Sequence, residues 1–201
     1  EGVELLRRPD GGYAKTREDG CGSVYHTFLA ECTAMRMDAP SMAPQQAEEF
    51  LGKMAQPGGG FLENRYSKRP GVNGTAAGVS LALVLRARAL GAAGRIELLG
   101  ALPDALRRWL TRDLAPHAVL LQGQRGEEGG FRATEHAPFA DLLSTFTALL
   151  TLRTLGRLEP PALAAALRYA RELESPAGGY LGFALEQEAD CEYTFYGLGV
   201  E

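Results

Sequence analysis

The side chains of this 201-residue chain that could do chemistry fall into two sets. One is cationic: Lys15 and Arg17, then Arg65, Lys68 and Arg69, then Arg132, each group a few residues beyond a Gly-Gly-aromatic triplet. Such groups beside helix N-termini make an anion site, because first-turn N–H groups and the helix dipole both favour negative charge. The other set is His26, Asp141, Asp190 and Glu192. Carboxylates roughly 5–10 Å apart can divide acid and base work on a glycosidic bond, so Asp141 and Asp190 define one such reading. Structural roles compete with it. The aspartates suit helix N-caps, worth ~1 kcal/mol each, Glu192 complements a helix dipole, and His26 suits a hydrogen-bonded histidine of the core or rim.

The elements that must position these residues are written in a repeat. Glycine occurs 25 times, against roughly fourteen expected at about 7%. Eight of the glycines form the pairs of Gly11-Gly12-Tyr13, Gly59-Gly60-Phe61, Gly129-Gly130-Phe131 and Gly178-Gly179-Tyr180. The aromatics stand 48, 70 and 49 residues apart, so the period is near fifty and the third unit carries an insertion, placed within Gly91 to Pro116. After each pair come a polar loop and a segment apolar around most of its circumference: Val24 to Met37, Thr75 to Leu90, Leu142 to Leu155, and Tyr193 onward. A helix apolar on all sides is buried on all sides.

Before the pairs the pattern is one-sided, as in Leu102, Ala105, Leu106, Trp109 and Leu110 and in Leu163, Ala166, Leu167 and Ala170. Outer amphipathic helices therefore alternate with inner apolar ones, with a positive-φ glycine in each turn. Ten residues beyond each aromatic stand Ser23, Gly71, Asp141 and Asp190, the expected inner-helix starts, and a threonine follows four later in every unit: Thr27, Thr75, Thr145 and Thr194. The expectation is one all-α repeat domain over 1–201, with units near 1–40, 41–90, 91–158 and 159–201.

Composition narrows the function. The net charge of −4 gives no global drive toward nucleic acid or anionic membrane. No run of eighteen uncharged apolar residues occurs, Arg86 and Arg88 interrupting the longest candidate, so no transmembrane segment is expected. Three cysteines, Cys21, Cys32 and Cys191, read as thiols of a reducing, cytoplasmic compartment. Glu1 at the start reads as a processed or trimmed terminus.

The inner-helix starts resemble a family. Asp190-Cys191-Glu192-Tyr193-Thr194-Phe195-Tyr196 is similar to the Asp-x-Cys-Tyr-Ser-aromatic-aromatic start of protein prenyltransferase β-subunits, and Tyr25-His26-Thr27 to their aromatic-His-Thr. The prenyltransferases belong with the squalene and terpenoid cyclases to the α/α-toroid proteins, rings of helical hairpins with inner and outer layers. The resemblance runs through all four units and implies an α/α toroid of about four repeats, an incomplete ring where a closed toroid of that family has about six.

By the same resemblance, Asp190 and His26 stand where prenyltransferases hold a catalytic zinc, with Glu192 at the zinc-cysteine position and Cys191 one place early. Carboxylate and imidazole are competent Zn²⁺ ligands, which makes Asp190, Glu192 and His26 the implied metal set and Asp190 and His26 the implied catalytic residues. Asp19-Gly20-Cys21 offers a rival triplet, displaced into the loop. Lys15, Arg17, Arg65, Lys68, Arg69 and Arg132 would hold an isoprenoid diphosphate. The Asp-x-Asp-Asp acid motif of the cyclases is absent, so prenyl transfer to a thiol or other acceptor is the expected activity. The alternative is a non-catalytic toroid scaffold for a protein or lipid partner. A protein partner or a homo-oligomer would complete the ring.

Overall fold

A computed structural model describes residues 2–37, 44–90 and 103–201, and within them every extended regular element is helical. After a 3₁₀ turn at Val3–Leu6 the helices are α1 (Val24–Arg36), α2 (Pro44–Met54), α3 (Val72–Ala89), α4 (Asp104–Asp113), α5 (Ala115–Gly123), α6 (Leu142–Thr154), α7 (Pro160–Glu172) and α8 (Cys191–Val200). Helices α1, α3, α6 and α8 are the inner layer, each packed on the next, with α2, α5 and α7 outside. None of the described helices is long and apolar enough to cross a membrane.

Each unit is built the same way. The first glycine of every pair (Gly11, Gly59, Gly129, Gly178) has φ between 95° and 99°, a region where a Cβ costs roughly 1–2 kcal/mol. The aromatic that follows sits in isolated antiparallel bridges, Phe131 with Arg125 and Asp141, for example. Its N–H would be buried there without a partner, and the recurring threonine supplies one. Tyr13 donates to Thr27 Oγ1 at 2.9 Å, Phe61 to Thr75 at 3.1 Å, Phe131 to Thr145 at 2.9 Å and Tyr180 to Thr194 at 3.1 Å. Three positions beyond that threonine a small residue stands in each inner helix: Ala30, Gly78, Ala148 and Gly197. The Phe61 and Tyr180 rings lie where side chains on Gly78 and Gly197 would stand.

All four expected starts are helix N-caps. Ser23 accepts from His26 N–H, Asp141 from Ser144 N–H and Asp190 from Tyr193 N–H, while Gly71 caps without a side chain. The first residue of each inner helix then reaches into the next unit's loop: Val24 N–H donates to Glu63 O at 2.8 Å, Val72 to Ala133 O at 2.9 Å and Leu142 to Gly182 O at 2.9 Å. Val24, Val72 and Leu142 are fully buried in the same core cluster as Phe50, Phe131 and Leu81, each apolar side chain contributing roughly 1.5–3 kcal/mol.

One assignment changes. The stripe through Ala105, Leu106, Trp109 and Leu110 belongs to α4, an extra helix, while the outer place in the third unit is held by α5. Gly11 lies against Gln46 O of α2 and Gly129 against Ala165 O of α7; the residue playing that part for Gly59 is Pro116, in α5. Helix α4 does bury one face, Leu106 and Leu110, and Arg86 of α3 lies over its Trp109 ring at 5.8 Å. Leu102, most of the insertion and the first unit boundary lie outside the described residues.

Candidate functional site

The rim carries most of the residues singled out above. At its first unit, Ser23 Oγ donates to Glu63 Oε1 and lies 2.9 Å from His26 Nδ1, while also accepting the His26 backbone N–H. A hydroxyl has one proton and two lone pairs. With its proton given to Glu63, both lone pairs are filled by His26, which assigns the ring its proton at Nδ1. Tyr25 meets the imidazole edge-on at 5.3 Å. Glu63 was not legible as a partner, because it is 40 residues from Ser23; its one signal is its place two residues after the repeat aromatic, where the following units have Ala133 and Gly182.

Asp190 and Glu192 are used locally. The Asp190 carboxylate accepts Tyr193 N–H at 2.7 Å, and Glu192 Oε1 accepts the Tyr196 hydroxyl at 3.3 Å. Asp19, of the rival triplet, accepts Thr16 N–H at 2.8 Å, and that backbone bond holds its carboxyl below the usual range. Asp141 accepts both Ser144 N–H and Ser144 Oγ–H, yet burial outweighs these bonds and pushes its carboxyl up. Among the described residues no three His, Cys, Asp or Glu side chains are grouped to hold a metal. The set Asp190, Glu192 and His26 therefore does not fit a zinc ion as it stands.

The cations share the loop rim but are variously engaged. Arg69 pairs with Glu135 and meets the His136 ring; Arg132 lies 3.9 Å from Glu128; Arg65 donates to Gly20 O and stacks on Tyr66. Lys15, Arg17 and Lys68 are exposed. The far part of the rim is acidic. Burial first, then the charges of Asp141, Glu186, Glu192 and Asp190, push the Tyr193 phenol up.

The inner helices themselves present an aromatic surface. Phe146 of α6 meets Phe195 and Tyr196 of α8 at ring separations of 5.7 and 5.6 Å, and Tyr196 meets Tyr193 at 6.2 Å. Burial first, then Glu192, push the Tyr196 phenol up to about 12, with Tyr25 of α1 adding a smaller rise. Between them Thr147 Oγ1 lies 2.9 Å from Asn73 Oδ1, joining α6 to α3. Tyr25, Leu29, Leu150, Phe195 and Leu198 are exposed on these helices. The aromatic start of α8 was legible, but Asn73, Phe146 and Thr147 were not, since their place depends on how α3, α6 and α8 turn toward one another.

No protein-family model matches the chain. No curated protein is detectably similar to it in sequence. Solved structures do resemble it: the type II terpene cyclase MstE from Scytonema without ligand has a TM-score of 0.65 at 18% identity, over 98% of this chain and 53% of that one. A variant of the same cyclase in complex with its substrate, geranylgeranyl dihydroxybenzoate, gives 0.64 at 17% identity, over 98% and 54%. A possible member of the GH105 family from Salmonella enterica gives 0.55 at 15% identity, over 98% and 61%. The chain spans about half the length of the cyclase. At these identities the likeness is one of fold, and it establishes the α/α-toroid architecture.

Proposed function

We propose that this chain binds an isoprenoid on the inner-helix face bounded by Tyr25, Leu29, Phe146, Leu150, Phe195 and Tyr196. The observation that carries the reading is the exposure of large apolar and aromatic side chains on helices of the inner layer. Contiguous exposed apolar surface marks a binding region rather than ordinary protein surface, and a flexible hydrocarbon chain is recognised by such a lining without polar contacts along its length. The cyclase whose fold is similar holds a geranylgeranyl substrate, which supports the same class of ligand here.

Prenyl transfer as expected from sequence would need Zn²⁺ on Asp190, Glu192 and His26. Bound there, zinc would act as a Lewis acid and lower the pKa of an acceptor thiol. Asp190 and Glu192 are engaged within α8 itself and His26 by Ser23, which supports binding of the isoprenoid over its transfer. Stoichiometric zinc in the purified chain, measured by atomic emission, would reinstate transfer. The paired-carboxylate reading weakens for the same reason, Asp141 and Asp190 each capping its own helix. That dispersal favours the second reading, a non-catalytic toroid scaffold using the same apolar face.

Binding is tested with farnesol by equilibrium dialysis. Leu150→Glu, on the inner face, is expected to weaken it at least tenfold, and Val119→Glu, more exposed and on outer helix α5, to leave it within twofold. Equal effects of the two variants would remove the inner face as the site.

A further inference from the structure

The outer layer carries a feature that the isoprenoid reading does not use. Two cavities of about 470 and 660 Å³ lie between α5, the turn after α6 and the start of α7, and both are lined by Gln122, Arg157 and Glu159. Sharing those residues, they adjoin as one groove. Arg125 lines the smaller cavity and Arg112 the larger. We propose that this groove binds an acidic peptide segment of a protein partner, with its carboxylates on the arginines and its apolar side chains on the wall beside them.

Charge sets the sign of the ligand. Three guanidinium groups meet one carboxylate, Glu159, in a chain whose net charge is −4. Arg112 is drawn to Asp113 at 3.0 Å. Neither Arg125 nor Arg157 has a side-chain partner among the described residues, the Arg157 contact with Gln122 being made by its backbone O. A cleft lined mainly by one sign of charge focuses its field on an incoming counter-ion, and a guanidinium fork matches a carboxylate with two parallel hydrogen bonds. The start of α7 adds no donor at its first two positions, which are Pro160 and Pro161 and lack an N–H. Recognition therefore falls to the arginines.

Length decides between a peptide and a compact anion. Arg112 and Arg125 flank α5 in the chain, and its nine residues extend about 14 Å at 1.5 Å per residue. A phosphate or diphosphate is too short to meet both. An extended peptide covers that distance with about five residues at roughly 3.3 Å each. The wall of the larger cavity is apolar at Val119, which is 65% exposed, and at Pro116, Leu158 and Pro160. A large apolar side chain left open beside unpaired cations is matched by a segment that carries both acidic and apolar residues.

The test is isothermal titration of the peptide acetyl-Glu-Leu-Glu-Leu-Glu-amide into the whole chain. Binding is expected, weakening as salt is raised, with the all-glutamine analogue at least tenfold weaker and inorganic diphosphate weaker than the acidic peptide. Arg157→Gln, in the wall of both cavities, is expected to weaken the peptide at least tenfold, whereas Arg168→Gln, on α7 and lining neither, stays within twofold. Val119→Glu, which spares farnesol at the inner face, is expected to weaken the peptide at least tenfold, so one variant tells the two sites apart. All three positions are exposed, and the variants do not threaten the fold. Diphosphate bound as tightly as the acidic peptide would overturn the peptide reading. Absence of peptide binding, or equal losses in Arg157→Gln and Arg168→Gln, would remove the groove as its site. Either result leaves the isoprenoid reading standing.

Discussion

Thr145 does two things with one hydroxyl. Its oxygen accepts the buried Phe131 N–H at 2.9 Å, and its proton goes back to Asp141 O at 2.7 Å. Valine matches its shape and can do neither, so Thr145→Val leaves a buried N–H unpaired. That is expected to cost about 1–3 kcal/mol in urea unfolding, with most of the loss recovered in Thr145→Ser, which keeps the oxygen. Asp141, the cap of the same helix, gives a pH signature. Its folded pKa is raised by burial, so its contribution to stability is full below the ordinary carboxylate range and is lost as pH rises through the folded value. Asparagine caps about as well as aspartate and does not ionise. The stability of Asp141→Asn relative to the parent chain is therefore expected to rise as pH is raised upward from the ordinary carboxylate range; a difference that stays flat would refute the burial argument.

At the scale of the element, α5 shows what the repeat tolerates. Outer helices α2 and α7 set a fully buried alanine, Ala47 or Ala166, three residues before a ring, Phe50 or Tyr169. Helix α5 exchanges the sizes: His117 takes the alanine place and Leu120 the ring place. The imidazole stacks on Phe61 at 4.2 Å and its Nδ1 accepts Gly60 N–H at 2.9 Å. Burial lowers the His117 pKa. The stability it gives is present above the ordinary histidine range and lost as pH falls through the depressed folded value. Unfolding free energy is expected to drop on acidification through the depressed folded value, a slope that His117→Asn, with an acceptor and no titration, abolishes in denaturant melts. This helix also marks the limit of the sequence pattern. Caps and glycine turns were legible because Ser23, Asp141, Asp190 and the paired glycines act within a few residues of themselves. Which of α4 and α5 is the outer helix was not, because both have a burial pattern and the choice is made by Gly59, more than fifty residues away. The site divides in the same way: Tyr25, His26 and the α8 aromatics announce themselves locally, whereas Glu63 and Asn73 matter only through partners in other units.

For the whole molecule the question is how four units behave as one. Contacts run from each inner helix to the next, and in such arrays stability is a sum of unit terms and neighbour terms. The neighbour term has a backbone component that proline can delete. Val72 is the first residue of α3, where proline is ordinarily well tolerated because that N–H has no partner within the helix, and Gly71 at φ −122° and ψ 173° suits the residue before a proline. Here the Val72 N–H is used between units, on Ala133 O at 2.9 Å. Val72→Pro is thus expected to leave α3 intact and to cost about 1–3 kcal/mol for the broken link beyond the lost packing of the buried valine, which Val72→Ala measures with the N–H kept. Cys191→Pro provides the control: the same position of α8, behind a cap of similar geometry, exposed, and with no such inter-unit bond among the described residues. Its cost is expected to stay within about 0.5 kcal/mol. Hydrogen exchange locates the effect, because loss of the link uncouples the first two units from the last two. Amides of α1 and the amino-terminal half of α3 should lose protection while those of α6 keep theirs, and a uniform loss across all four inner helices would show that the units are held together by side-chain packing alone.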